Sequence, residues 1–268
     1  MLFSQFQLAD LPLLPDFQPE GWDDLITTFT YFINSPNCFP IKLSIENETV
    51  AIATSIRHID TAWLACIVVH RNYRGRGLGR AITNELINRL DARVFKTIYL
   101  DATDEGYEVY TKLGFEMEDN YIHYKNSSQK RQSLPAVHPH IRTYQPKDFH
   151  QLFHLDYKAT GEYRKAILSD WISEAIVYEE AGFVQGYYLP DRSNRLIIAR
   201  SRPVGKALLN YHIDRHHIVI PPSGNTYAID FLKENGFEPY RATKRMRLGV
   251  TRPVNLQMLF NRLSGQLG

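Results

Sequence analysis

Hydrophobic positions along the chain alternate between helical and strand spacing. Leu78, Ile82, Leu86 and Leu90 recur every four residues, which is the spacing of one buried helix face. Just before them, Ala62 to Val69 is a continuous apolar run of strand length. Upstream, Asp23 to Asn34 reads as a helix with Leu25, Phe29 and Phe32 on one face. Phe39 to Ile45 and Val50 to Ile59 read as strands, with turns at Glu46-Asn47-Glu48 and Asp60-Thr61. Downstream, Val94 to Leu100 is rich in β-formers. A short helix from Gly106 to Leu113 stops at Gly114, and a strand runs from Glu116 to Tyr124.

A similar order returns after a polar stretch. Residues 127 to 140 carry two prolines and no periodicity, and read as a linker. Beyond it come a strand (Ile141 to Tyr144), a helix from Pro146 to about Tyr157, and a second helix from Glu162 to Ser173. Ala175 to Tyr178 and Phe183 to Leu189 form a hairpin, and Leu196 to Ala199 is a strand. A helix (Val204 to His212), a strand (His217 to Ile220), a helix (Asn225 to Asn235) and a strand through Met246 complete the order. Gly236-Phe237 echoes Gly114-Phe115 at the same place. The pattern predicts one fold in tandem, over residues 1–126 and 141–268. Leu256, Leu259, Phe260 and Leu263 stand at helical spacing and predict a closing helix between Val254 and Leu263.

Composition narrows the class. With 268 residues and a net charge of +2, nothing global calls for nucleic acid or an anionic membrane. No apolar run approaches the ~18 residues of a membrane span. The start of the chain has Asp10 and Asp16 but no early Lys or Arg, unlike a signal peptide. Cys38 and Cys66 lie in or beside apolar strands and read as reduced core residues, not as a disulfide or metal pair. A cytoplasmic protein without metal is expected. Arginines between Asp191 and Arg252, including Arg192, Arg200 and Arg245, read as a solvated basic face.

The chemistry concentrates in Arg74-Gly75-Arg76-Gly77-Leu78-Gly79, between the apolar strand and the periodic helix. A glycine-rich turn at a helix start offers free N–H groups and a partial positive charge to a phosphate. A P-loop would need G-x-x-x-x-G-K-[ST], which is absent. A Rossmann fingerprint fails on spacing, because its third glycine falls on Arg80. The bland reading is a solvated basic turn capping an ordinary helix. R-x-x-G-x-G, at Arg74, Gly77 and Gly79, resembles the pyrophosphate loop of the GNAT superfamily of N-acetyltransferases. Val109-Tyr110-Thr111-Lys112-Leu113-Gly114-Phe115 resembles that family's second signature, a tyrosine four residues before Gly-Phe.

The resemblance implies an α/β fold of the α+β kind: tandem domains, each with a central mixed, largely antiparallel sheet flanked by helices. It implies acetyl-CoA as cosubstrate and an amine as acceptor. Ile67, Val68 and Val69 would hold the pantetheine arm by main-chain pairing. Arg74, Gly75, Arg76, Gly77, Leu78, Gly79 and Arg80 would hold the pyrophosphate. Tyr110 would be the general acid, with a reference pKa of about 10. The base is open among Glu20, His58 and Asp60, and Asp101 reads as a cap of the following helix. Glu20 and Trp22, on either side of Gly21, suit a cationic amine as well as they suit a helix-entry turn. The second copy has one glycine, Gly205, where the loop needs two. Pro203 removes a donor N–H, and Leu232 replaces the tyrosine. The chain thus resembles a bacterial branch with a degenerate second domain. Three activities compete: acetyl transfer to a small amine, acyl-CoA-dependent regulation without turnover, and transfer to a protein N-terminus or lysine.

Overall fold

The computed structural model describes residues 1–127, 138–190 and 195–267. Residues 128–137 of the expected linker, and Arg192, lie outside the described residues. In chain order the elements are β1 (Leu2–Gln5), α1 (Leu25–Asn34), β2 (Cys38–Ile45), β3 (Glu48–Arg57), β4 (Thr61–Val69), α2 (Leu78–Asn88) and β5 (Thr97–Ala102). Then follow α3 (Asp104–Thr111), β6 (Glu116–Lys125), β7 (Ile141–Thr143), α4 (Phe149–Thr160), α5 (Lys165–Ser169), β8 (Ile176–Glu180) and β9 (Phe183–Tyr188). The last are β10 (Ile197–Ala199), α6 (Arg202–Ile213), β11 (Ile218–Val219), α7 (Thr226–Glu234), β12 (Glu238–Gly249) and β13 (Leu259–Asn261).

Contacts divide the chain into two units. The first holds Met1–Glu116 and Met246–Val250, and the second Met117–Arg245 and Thr251–Gln266. In the first, the strand order is β1-β2-β3-β4-β5, followed by the last residues of β12. Pairing is antiparallel from β1 to β4 and parallel between β4 and β5. Of the strand expected to close the first domain, only Glu116 stays in this unit, and Met246 onward stands beside β5. Gly249 makes that approach close. Its φ is 93°, a Cβ there would strike the Lys96 carbonyl, and Val250 N donates to Lys96 O at 2.9 Å. Leu78, Ile82 and Leu86 of α2 are buried against Leu43, Val50, Ala53 and Leu64 of the sheet. Each such side chain contributes about 1.5–3 kcal/mol through burial.

The second unit has one sheet in the order β13-β10-β9-β8-β7 and a second set in the order β12-β6-β11. Its core joins Tyr188, Ile197, Val204, Leu208, Leu232 and Phe260. Both units turn a hairpin on two residues of positive φ, Glu46 and Asn47 (50° and 68°) and Ala181 and Gly182 (51° and 82°). Such turns match the twist of the strands that they join.

Two expected helices differ. The Glu162–Ser173 pattern shrinks to α5 and a 3-10 turn at Ile172–Glu174. Gly161, at φ 70°, ends α4, and Arg164 turns inward to Asp156, with Nη2 to Oδ1 at 2.6 Å and both side chains buried. The closing helix between Val254 and Leu263 is instead a 3-10 turn, Leu256–Met258, and strand β13. The edge of β10 offers main-chain partners there, which override the helical spacing.

Candidate active site

The site begins where β4 and β5 part. Their parallel ladder pairs Thr61, Ala62, Trp63 and Leu64 with Thr97, Ile98, Tyr99 and Leu100, and stops there. Past this fork β4 stays paired to β3, but with a register shift between Ile52 and Thr54. Cys66 takes φ 49°, in the left-handed region. The extra residue is a β-bulge, which bends the strand and re-aims its main chain. Ile67 and Val69 are half-buried and Val68 is buried, on the stretch of β4 past the end of its ladder with β5.

The same strand runs into the glycine loop. His70 starts it, its Nδ1 accepting from Asn72 N at 3.3 Å. Gly75 and Gly77 have φ of 76° and 75°, and Gly77 is the residue before the first turn of α2. No side chain caps that helix and no acidic residue lies in its first turn. Its first N–H groups therefore face outward for a ligand to satisfy. Gly79 differs from the other two, since a Cβ there would rest at 3.7 Å from Val69 Cγ2. Arg74, Arg76 and Arg80 are exposed. Arg76 lies over the Tyr73 ring at 5.0 Å, and Tyr73 donates to Glu48 Oε2 at 2.5 Å, which steadies the basic rim. Leu78, buried beneath, anchors the turn to the core.

Tyr110 is on α3 and is buried. Its ring meets Phe115 edge-on at 6.1 Å and leans back over Gly106, where a Cβ would stand 2.7 Å from the ring. Burial first, and the charge of Asp101 second, push the phenol above its ordinary value, so it keeps its proton at neutral pH. Asp101 is the first residue of β5 past the fork. The expected cap role of Asp101 is corrected: Thr103 caps α3, its hydroxyl accepting from Gly106 N at 3.4 Å.

Before α1, residues 19–25 wind around Gln18. Its amide donates to the carbonyls of Pro19, Trp22 and Asp23 (3.1, 3.4 and 3.2 Å) and accepts from Leu25 N at 2.9 Å. Gly21 takes φ 73°, Glu20 is exposed and Trp22 is half-buried. Asp24 caps α1, accepting from Thr27 N and Thr27 Oγ1 at 2.7 Å each, which holds its carboxyl below the usual range. Asp23 was not singled out from sequence. Burial pushes the Cys66 thiol up, and the charge of Asp23 adds to it. The available signal was the acidic run between Trp22 and the first helix.

His58 and Asp60 stand at the other end of β4, at the closed side of the ladder, where His58 N donates to Thr61 O at 2.9 Å. Four residues separate Thr61 from Ala65, about 13 Å at strand rise. Among the described residues no group of three or more His, Cys, Asp or Glu could hold a metal ion, and no helix is long and apolar enough to cross a membrane.

Comparison with known proteins agrees with this geometry. Residues 5–115 match the acetyltransferase (GNAT) family. The uncharacterized N-acetyltransferase YitH of Bacillus subtilis (strain 168) is 28% identical over 130 residues, 47% of this chain and 45% of that protein. The match thus spans about half the length of that relative. A candidate acetyltransferase from Pyrococcus horikoshii superposes with a TM-score of 0.82 at 20% identity, covering 100% of this chain and 95% of that one. A tandem GNAT protein from the clavulanic acid biosynthesis pathway superposes at 0.60 with 14% identity, covering 92% of this chain and 98% of that one. Residues 5–115 thus match the acetyltransferase (GNAT) family, and the fold of the chain is similar to that of these two solved structures, one of them a tandem GNAT protein.

Proposed function

We propose that the protein transfers an acetyl group from acetyl-CoA to the primary amine of a small molecule, by direct attack with both substrates bound. The observation that carries this reading is the continuity of fork and loop on one strand. β4 leaves β5 at Leu64, bulges at Cys66 and enters a glycine turn without side-chain caps thirteen residues past the fork, at Gly77. Acetyl-CoA would supply the thioester carbonyl and the thiol that leaves.

In this reading the main chain of Ile67, Val68 and Val69 pairs with the pantetheine arm and offers an N–H to the carbonyl oxygen. The N–H groups of Gly75 to Arg80 receive the pyrophosphate, with Arg74, Arg76 and Arg80 around it. Holding both reactants is most of the catalysis, since it removes the entropy of their encounter. A cationic amine first gives one proton to a base, for which Glu20 is the candidate; as the C–N bond forms and the C–S bond breaks, the nitrogen loses a second proton to water and the sulfur gains one. Tyr110, which keeps its proton, is the donor towards sulfur. Glu20, Trp22 and Asp23 line the acceptor side, where carboxylates and an indole favour a cationic amine. His58 and Asp60, at the paired end of β4 and β5, take no part in the transfer in this reading. A cytoplasmic setting fits this chemistry.

The test is acetyl-CoA-dependent thiol release across a panel of small amines, polyamines and peptides. Turnover on a small amine supports the proposal. Turnover confined to peptide N-termini or lysines would replace the small acceptor with a protein. Coenzyme binding without turnover on any of them would favour a regulatory role.

A further inference from the structure

The second unit repeats the layout that makes the fork in the first. β10 pairs antiparallel with β9 as β4 does with β3, and the next helix, α6, begins three residues later. β11 follows that helix as β5 follows α2, and it pairs with β6, leaving the side of β10 towards it for another occupant. That occupant is the chain's own C-terminal segment. Asn261 pairs with Ile197 and Leu259 with Ile198, so β13 lies along the edge of β10 that corresponds to the open edge of β4.

The segment is fastened on both sides. Towards β11, Ile220 N donates to Asn261 Oδ1 at 2.6 Å, and Arg262 N donates to Ile220 O at 3.2 Å. Asn225, which caps α7, donates its amide to Leu259 O at 2.9 Å. Asn261 donates its own to Arg195 O at 2.8 Å. Phe260 covers the first turn of α6 so closely that a Cβ on Gly205 would overlap its ring. Gly205 is the glycine left where the first unit has its loop, and here it lies inside α6 with the ring packed against it. Phe260, Asn261 and Leu263 are 2%, 0% and 0% exposed, which makes the segment part of the core and not a passing tail.

We infer that residues 259–262 are a built-in occupant of the second unit's coenzyme groove, so that the chain takes up one acyl-CoA and not two. The segment pairs with the strand edge through its main chain, at the place where the first unit would receive pantetheine, and its Phe260 closes over the first turn of the helix that follows. This inference rests on the coenzyme reading of the first fork. It adds a physical reason for the loss of the second loop: with the groove filled from within, a second loop glycine and a free N–H at Pro203 have nothing to bind.

The test is hydrogen exchange read by mass spectrometry on the whole chain, with and without acetyl-CoA, beside a titration that counts sites. Without ligand, amides of residues 197–199 and 259–262 are expected to exchange at least tenfold more slowly than those of 65–69. Adding acetyl-CoA should slow 65–69 and leave 197–199 and 259–262 unchanged. The titration should give one site, and the double variant Gly77→Asp/Gly79→Asp none. Rapid exchange at 259–262, added protection there with acetyl-CoA, or a site that survives the double variant would each overturn the inference. A fork at 65–69 that ignores acetyl-CoA would instead sink the coenzyme reading of the first unit.

Discussion

In the proposed reaction Tyr110 must stay protonated to serve the leaving sulfur, and its surroundings favour that. Burial and the nearby Asp101 charge both oppose ionisation. Tyr110→Phe is expected to lower kcat by about 10²-fold or more while leaving the Kd for acetyl-CoA within threefold, by steady-state kinetics and titration. No alkaline fall in rate below about pH 10 should be traceable to this phenol, and the variant should keep the wild-type alkaline limb. Asp23 makes a different prediction. In the proposed reaction, Asp23→Asn removes a negative charge that favours a cationic amine. The same change should lower kcat/KM for a cationic amine by roughly tenfold, chiefly through KM. An unchanged kcat/KM would remove Asp23 from the acceptor side.

At the scale of elements, the loop and its helix carry the sharpest contrast. Gly77 needs its positive φ, whereas Gly79 has room for a methyl group against Val69. Gly77→Ala should cost about 1–2 kcal/mol in denaturant unfolding, and Gly79→Ala much less. These features were legible because glycine spacing and four-residue periodicity are local signals. The α2 face, the β4 run and the Tyr110 helix all appear where the pattern put them. The bulge was not legible, since nothing in Ala65-Cys66-Ile67 marks a left-handed residue; the register with β3 imposes it. β13 was misread for a related reason. Leu256, Leu259, Phe260 and Leu263 have helical spacing, but the free edge of β10 decides their conformation. Asp101 was taken for a cap that Thr103, two residues on, provides.

For the molecule as a whole, element order gave the repeat, but long-range pairing was out of reach. No local pattern tells that the end of β12 stands beside β5, or that β6 stands beside β11. The second unit also has its own acid sensitivity. Burial, with Arg262 and Arg241 nearby, pushes His123 down to about 3. Burial pushes His212 down to about 3 as well, against the hydrogen bond to Ile218 O. Both are lowered from about 6.5, so the unfolded chain binds more protons between these values. Their contribution to stability is therefore complete above about pH 6.5 and is lost as pH falls towards 3. Unfolding midpoints in urea should drop between pH 7.5 and pH 5, and His212→Gln should flatten that drop.

The central claim, one acetyl-CoA held by the fork and glycine loop of the first unit, is tested most directly by calorimetric titration of the wild-type chain and of Gly77→Asp/Gly79→Asp. The account predicts one site in the wild type and no measurable binding in a folded double variant. Wild-type affinity retained by the double variant, or no binding by the folded wild type, would contradict it.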